Sequence, residues 1–368
     1  MGVEATERRT LMALQTSLVR RLGIEHPIIQ APMAGGATTT DLVASVSEAG
    51  GLGFLGCAYL TPEQIVAACT EVRSRTDRPF GVNLFAPLAS PGPDGDPSRM
   101  LRLLEPVHAD LQIPPPNEPP VEDVSFDDRL EAVLAARPSV FSFTFGSLPP
   151  ETIAELKARD MFVIGTATTV EEALVLSAAG VDAVVAQGSE AGAHRGTFGT
   201  TFEAAMVGTV ALVPQMVDAI SIPVIASGGI MDGRGIGAAL ALGAQAAQLG
   251  TAFLPCDESG IPESHKQAII DGREDQTRVT RAFSGRPARG LVNRFMDDVD
   301  REPDVILPFP RQNALTRAAR GAAARLDRPE FLSLWAGQGV RLSRRGSASE
   351  LVAMLAAETV AVLEAAGT

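Results

Sequence analysis

Eight short runs of apolar and β-branched residues, each followed by a stretch of helical periodicity, constrain this chain more than any other feature. The runs are HPIIQAPM (26–33), GLGFLG (51–56), PFGVNLF (79–85), SVFSFTFG (139–146), MFVIGTAT (161–168), VDAVVAQG (181–188), IPVIASGG (222–229) and AAQLGTAFL (246–254). Between them lie patterns such as TPEQIVAACTEVRSR, PPETIAELKAR and TVEEALVLSAAG. Continuous apolar runs suit strands buried on both faces, and their alternation with helices predicts a parallel sheet. Eight such units predict a closed TIM (β/α)8 barrel, with an open doubly wound sheet as the alternative. Helix punctuation agrees. Thr61-Pro62-Glu63-Gln64 supplies an N-cap and a Pro at the first helical position, while Gly50, Gly180 and Gly243 stand where left-handed C-caps belong.

The rhythm divides the chain into an N-terminal lead (1–21), a barrel (22–254), a helical insertion after the eighth strand (255–345) and a final amphipathic barrel helix (346–368). Residues 87–125 hold PLASPGPDGDP and PPPNEPP and read as a long Pro-rich loop over the barrel mouth. The net charge of −13 argues against a nucleic-acid or membrane partner. Cys57, Cys69 and Cys256 are odd in number and far apart, which argues against a disulfide framework or a zinc site and for a reducing cytoplasm. No apolar run approaches the roughly 20 residues that span a bilayer. Whether the chain is a monomer or a dimer is not readable from the sequence.

Barrel chemistry sits at the C-terminal ends of the strands. The first strand ends in Gln30, Ala31, Pro32, Met33, Ala34, Gly35 and Gly36, and Asn83 lies near the end of the third. The sixth runs into Gln187-Gly-Ser-Glu-Ala-Gly192-Ala193-His194-Arg195, the seventh into Ser227, Gly228 and Gly229, and the eighth carries Gln248, Leu249, Gly250 and Thr251. Two glycine loops on adjacent final strands predict a phosphate site, with N–H groups close to the anion and a helix N-terminus behind them. No GxGxxG opens the first helix, so a Rossmann dinucleotide site is disfavoured. Asn83 and Gln187 could each bond the edge of a flat heterocycle or satisfy local backbone. His194 follows a glycine at a strand end, where an imidazole can hydrogen-bond or accept a proton, and is the catalytic candidate. Arg195 could steer an anion or pair with Glu190. His26 reads as structural, and His108 and His265 receive no role. Neither a Ser-His-Asp spacing nor a metal-ligand spacing stands out.

Taken together, QAPMAGG, GVNLF, QGSEAGAHRGTF, ASGGI and QLGTAFL resemble the nitronate monooxygenases. SGRPARGLVNRF (284–295), QNALT (312–316) and SLWAGQG (333–339) extend the likeness to class I members, over nearly the whole chain from Gly23. The resemblance implies a non-covalent FMN in a TIM barrel. Ala31, Pro32, Met33, Asn83, Gln187 and Gly192 would border the flavin, and Ser227, Gly228, Gly229, Gln248, Leu249, Gly250 and Thr251 would hold its phosphate. His194 matches the family's active-site histidine, which contacts the nitro group and can take the α-proton of a neutral nitroalkane. The implied reaction is oxidation of an alkyl nitronate by O2 to a carbonyl compound and nitrite, with no nicotinamide, and propionate 3-nitronate as a toxic natural substrate. The family commonly has EAGGHRG where this chain has EAGAHRG; if that position needs a positive φ, Ala193 shifts the loop. NAD(P)H-dependent FMN reductases, namely enoyl-acyl-carrier reductases or NADH:quinone reductases, share the scaffold and are the rival reading, ahead of a flavin carrier without turnover.

Overall fold

The computed structural model describes residues 14–87, 95–119 and 124–367. Eight parallel strands form the central sheet: β1 (Ile28–Gln30), β2 (Gly53–Gly56), β3 (Phe80–Phe85), β4 (Val140–Thr144), β5 (Phe162–Ala167), β6 (Ala183–Gln187), and, beyond a two-residue strand β7 (Ala193–His194), β8 (Val224–Ser227) and β9 (Ala246–Leu249). Their order is β1-β9-β8-β6-β5-β4-β3-β2. A parallel bridge between Ile29 and Leu52 joins the two ends, with Gln30 N–H donating to Leu52 O at 2.9 Å and Leu52 N–H to Ile28 O at 3.0 Å. The sheet is therefore a closed TIM barrel, and each of the eight expected runs contains its strand.

Side chains alternate between two cores, as a pleated barrel requires. Ile29, Phe54, Ile164, Val185 and Ile225 fill the interior. Leu18, Val19 and Leu22 of the helix Ser17–Leu22 join that cluster and plug the N-terminal end. Ile28, Val82, Phe141, Val163, Val184 and Val224 point outward under the ring of helices. The helix Ala348–Ala365 packs on the helices Gly233–Ala241 and Thr40–Glu48 and completes that ring. Its capping box joins Ser347 to Glu350.

Two expectations need correction. The insertion after β9 is not purely helical: β10 (Thr277–Thr280) and β11 (Ala288–Leu291) pair antiparallel with each other, and β11 pairs with β7, matching Ala288 to His194 and Arg289 to Ala193. Each strand is only four residues long, too short to show a period, and β11 lies between β10 and the two-residue His194 strand. The Pro-rich stretch is not all loop either. Within it the helix Ser98–Asp110 buries Met100, Leu104 and Val107, spaced for one helical face, in a third cluster with Phe283, Phe295, Leu315 and Phe331. Within this stretch residues 88–94 (LASPGPD) and 120–123 lie outside the described residues, as does most of the N-terminal lead. Among the described residues no helix is long and apolar enough to cross a membrane.

Candidate active site

A cleft of about 670 Å3 opens at the C-terminal ends of the strands. Ala31, Pro32, Met33, Asn83, Gln187, Gly192, His194, Ser227, Gly228, Gly229, Gln248, Gly250 and Thr251 all line it. Leu249 does not; it is buried between strands and helices. One wall is built from backbone. Gly228 and Gly229 have φ of 117° and 72°, a region only glycine adopts freely. Among the described residues no acceptor takes the N–H groups of Gly228, Gly229 or Thr251. The helix N-terminus expected behind them is not available. Asp232 caps the helix Gly233–Ala241, accepting from Arg234 N–H at 3.0 Å and Gly235 N–H at 3.3 Å. Glu190 occupies the start of the helix Thr209–Ala219, accepting from Thr209 N–H at 3.0 Å. The donors of this wall are thus loop N–H groups and the uncapped turn Thr251–Phe253.

Asn83 is buried and donates to Ser142 Oγ at 2.8 Å. Gln187 satisfies local backbone, donating to His194 O at 3.0 Å and accepting from Gly196 N–H at 2.8 Å. It thereby pins the histidine segment. Arg195 neither faces the cleft nor forms an ion pair with Glu190. It is buried and donates to the carbonyls of Gly188, Gln187 and Ala205, so it braces the loop from behind. A side chain at Gly192 would stand 2.6 Å from Gly337 N, which makes that glycine a requirement of close approach.

His194 stands in an aromatic cage, its ring 5.8 Å from Phe145, 5.7 Å from Trp335, 6.1 Å from Phe309 and 6.4 Å from Phe85, centre to centre. Its Nε2 lies 2.8 Å from Ser284 Oγ. The Ser284 hydroxyl has two acceptors, Nε2 and Arg286 O at 3.1 Å, while Arg286 N–H donates to Ser284 Oγ at 3.3 Å. When the hydroxyl turns to Arg286 O, Nε2 donates and Nδ1 keeps a lone pair. When it turns to Nε2, Nδ1 carries the proton. Burial, followed by the positive charges of Arg286 and Arg320, pushes the imidazole down to about 3, so it is neutral in either state at physiological pH. Arg286 lies 3.9 Å above the Phe145 ring. Two residues here are strained: Phe145 at φ 82° and Ala193 at φ 59°. The position beside the histidine does require a positive φ.

Sequence reasoning missed Ser284, Arg286, Phe309, Arg320 and Trp335, all from the insertion. One signal was present: the chain's single Trp and single Tyr, Trp335 and Tyr59, both line the cleft.

A closed barrel with a glycine-walled cleft and a caged neutral histidine at its C-terminal mouth is built as a barrel enzyme acting on a bound small molecule. Comparison with known proteins narrows that class. The chain belongs to the nitronate monooxygenase family, whose profile matches residues 15–358. A probable nitronate monooxygenase of Staphylococcus saprophyticus is 44% identical over 344 residues, covering 93% of this chain and 96% of the relative. One of Staphylococcus aureus strain Newman is 43% identical over 336 residues, covering 91% and 94%. Among solved structures, nitroalkane oxidase from Streptomyces ansochromogenes superposes with a TM-score of 0.88 at 42% identity, covering 95% of this chain and 99% of that one. FabK from Thermotoga maritima superposes with a TM-score of 0.75 at 31% identity, covering 96% and 98%. The protein is an oxidoreductase, and oxidation of nitronates is the activity its family is named for.

Proposed function

We propose that the protein binds FMN non-covalently and uses O2 to oxidise alkyl nitronates to a carbonyl compound and nitrite. The observation that carries the reading is a neutral, caged His194 in the same cleft as a wall of unpartnered backbone donors. The residues fit FMN. The cleft volume of about 670 Å3 lies within the about 300–1,000 Å3 of cofactor pockets. Ser227, Gly228, Gly229, Gln248, Gly250 and Thr251 would receive the phosphate, and Ala31, Pro32, Met33, Asn83 and Gly192 would border the ring, with Gln187 acting through the His194 loop. The chemistry supplied by bound FMN is acceptance of electrons from the nitronate and their delivery to O2.

The chain's own part is binding and orientation. With the Ser284 hydroxyl on Nε2, His194 Nδ1–H donates to a nitronate oxygen. With the hydroxyl on Arg286 O, Nδ1 can accept a proton, but an imidazole held near 3 is a poor base at neutral pH. This favours nitronates over neutral nitroalkanes. The aromatic cage keeps water from the reacting carbon. Residues 22–254 act as the cofactor barrel and 255–345 as the substrate-side subdomain. A small nitronate such as propionate 3-nitronate is the natural substrate, and its removal a detoxification.

The test is to release and identify the flavin of the purified protein, then to compare nitrite formation from ethyl nitronate and from nitroethane. The reading expects FMN and at least about 10-fold faster turnover of the nitronate; equal rates would return the base role to His194. The likeness to FabK supports a second reading, an NAD(P)H-dependent reductase on the same scaffold, which the same preparation tests by NADH oxidation.

A further inference from the structure

We propose that Arg320 sets the substrate specificity of this cleft by receiving, on its Nη1 edge, a carboxylate carried by the nitronate. The proposal rests on the functional reading above and deepens it. The helix Arg311–Arg325 turns Asn313, Arg320 and Ala324 toward the cleft, at helical spacing. Three of the five guanidinium N–H groups of Arg320 are used on neutral acceptors. Nη2 donates to Asn313 Oδ1 at 2.7 Å and Asn313 O at 2.8 Å, and Nε donates to Thr316 Oγ1 at 3.2 Å. Thr316 is fixed in turn by donating to Phe283 O. Nη1 bonds to no described residue, and among the described residues no carboxylate pairs with Arg320.

The chain has 44 Asp and Glu residues against 31 Lys and Arg, and exposed arginines such as Arg75, Arg278 and Arg294 each hold two carboxylates. The enclosed Arg195 and Arg286, like Arg320, bond to neutral acceptors instead, but of these three only Arg320 lines the cleft. An enclosed guanidinium without a counter-ion is costly, and burial pulls its pKa down to about 10. A charge kept on such terms is balanced when a ligand brings the anion. The guanidinium is also held in one orientation by Asn313 and Thr316, so little side-chain freedom is lost when a carboxylate arrives. The glycine wall on β8 and β9 already provides donors for a cofactor phosphate, so Arg320 is left for a second anion. A nitronate with a carboxylate a few bonds away carries one.

The experiment uses the flavin-loaded full chain, Arg320→Gln and Arg320→Lys, with propionate 3-nitronate and ethyl nitronate assayed in the same preparations. The ratio of the two kcat/KM values cancels any loss of folded protein. We expect Arg320→Gln to lower the ratio at least about 30-fold, mostly through KM, and Arg320→Lys to keep part of it. An unchanged ratio in both variants overturns the proposal. So does loss of flavin with an unchanged ratio, which would put Arg320 on the cofactor phosphate. A second readout needs no turnover: Trp335 is the sole tryptophan and lines the cleft, so its fluorescence reports binding of propionate against neutral propionamide. If the unmodified protein oxidises no nitronate, the functional reading fails. Propionate binding at least about 10-fold weaker in Arg320→Gln then still upholds the carboxylate site, and equal binding overturns it.

Discussion

Replacing Ala193 by glycine should stabilise the protein although it removes a methyl group. Ala193 has φ of 59°, in the left-handed region, and its backbone pairs with Arg289 of β11. An L-residue held there costs about 1–2 kcal/mol. Glycine removes that cost but gives back about 0.5–1 kcal/mol through the freedom of the unfolded chain. Ala193 lines the cleft rather than the core, so the lost methyl forfeits little packing. The net gain is about 0.5–1 kcal/mol. At roughly 2.1 cal/mol/K per residue, a chain of this length has an unfolding entropy of about 0.8 kcal/mol/K, so the gain amounts to a rise in Tm of only about 1 °C. Denaturant midpoints of both proteins in one buffer resolve it better than melting. Ala191→Gly is the control, since Ala191 is buried and lacks a positive φ, and it should lose about 0.5–1 kcal/mol. Destabilisation of Ala193→Gly by more than about 0.5 kcal/mol would refute the strain argument.

His194→Asn should keep the yellow flavin and lose most activity on ethyl nitronate, because the Nδ1–H donor is gone; unchanged turnover of that nitronate would remove the donor role. Stability should fall as acid is added. His194 and His265 are held neutral, at about 3 and about 4 against an ordinary 6.5, so the unfolded chain binds more protons below about pH 6.5. Each then costs up to about 1.4 kcal/mol per pH unit down to its folded pKa, and a denaturation series from pH 7 to 4.5 on His265→Gln should show a shallower slope. Glu172→Ala should cost about 2–4 kcal/mol in denaturant titrations, because the buried carboxylate accepts from Thr168 N–H and Oγ–H and from the N–H groups of Phe198 and Gly199. A loss under about 0.5 kcal/mol would mean that water replaces it.

The barrel was legible because strands buried on both faces must be apolar throughout, and that pattern needs no partner to be read. The glycine loops were legible for a similar reason: a backbone wall facing an anion leaves small residues in fixed places. His194 stood out as a histidine beside glycines at a strand end. What surrounds it was not legible. Ser284 is 90 residues away in sequence, and Arg320 and Trp335 are farther still. Nothing local marks Ser284 or Arg320, and Trp335 is marked only as the chain's single tryptophan, since their roles arise only where the insertion folds back over the cleft. Arg195, adjacent to the histidine, looked functional, yet a side chain next in a strand points to the opposite face, and here that face is the buried one.

The measurement that bears most directly on the central claim is oxygen uptake by the purified yellow protein, with propionate 3-nitronate and, separately, with NADH plus a quinone. The account predicts oxygen consumption with matching nitrite release from the nitronate and no NADH oxidation. NADH oxidation without any nitronate-dependent oxygen uptake would contradict it and assign the cleft to a reductase.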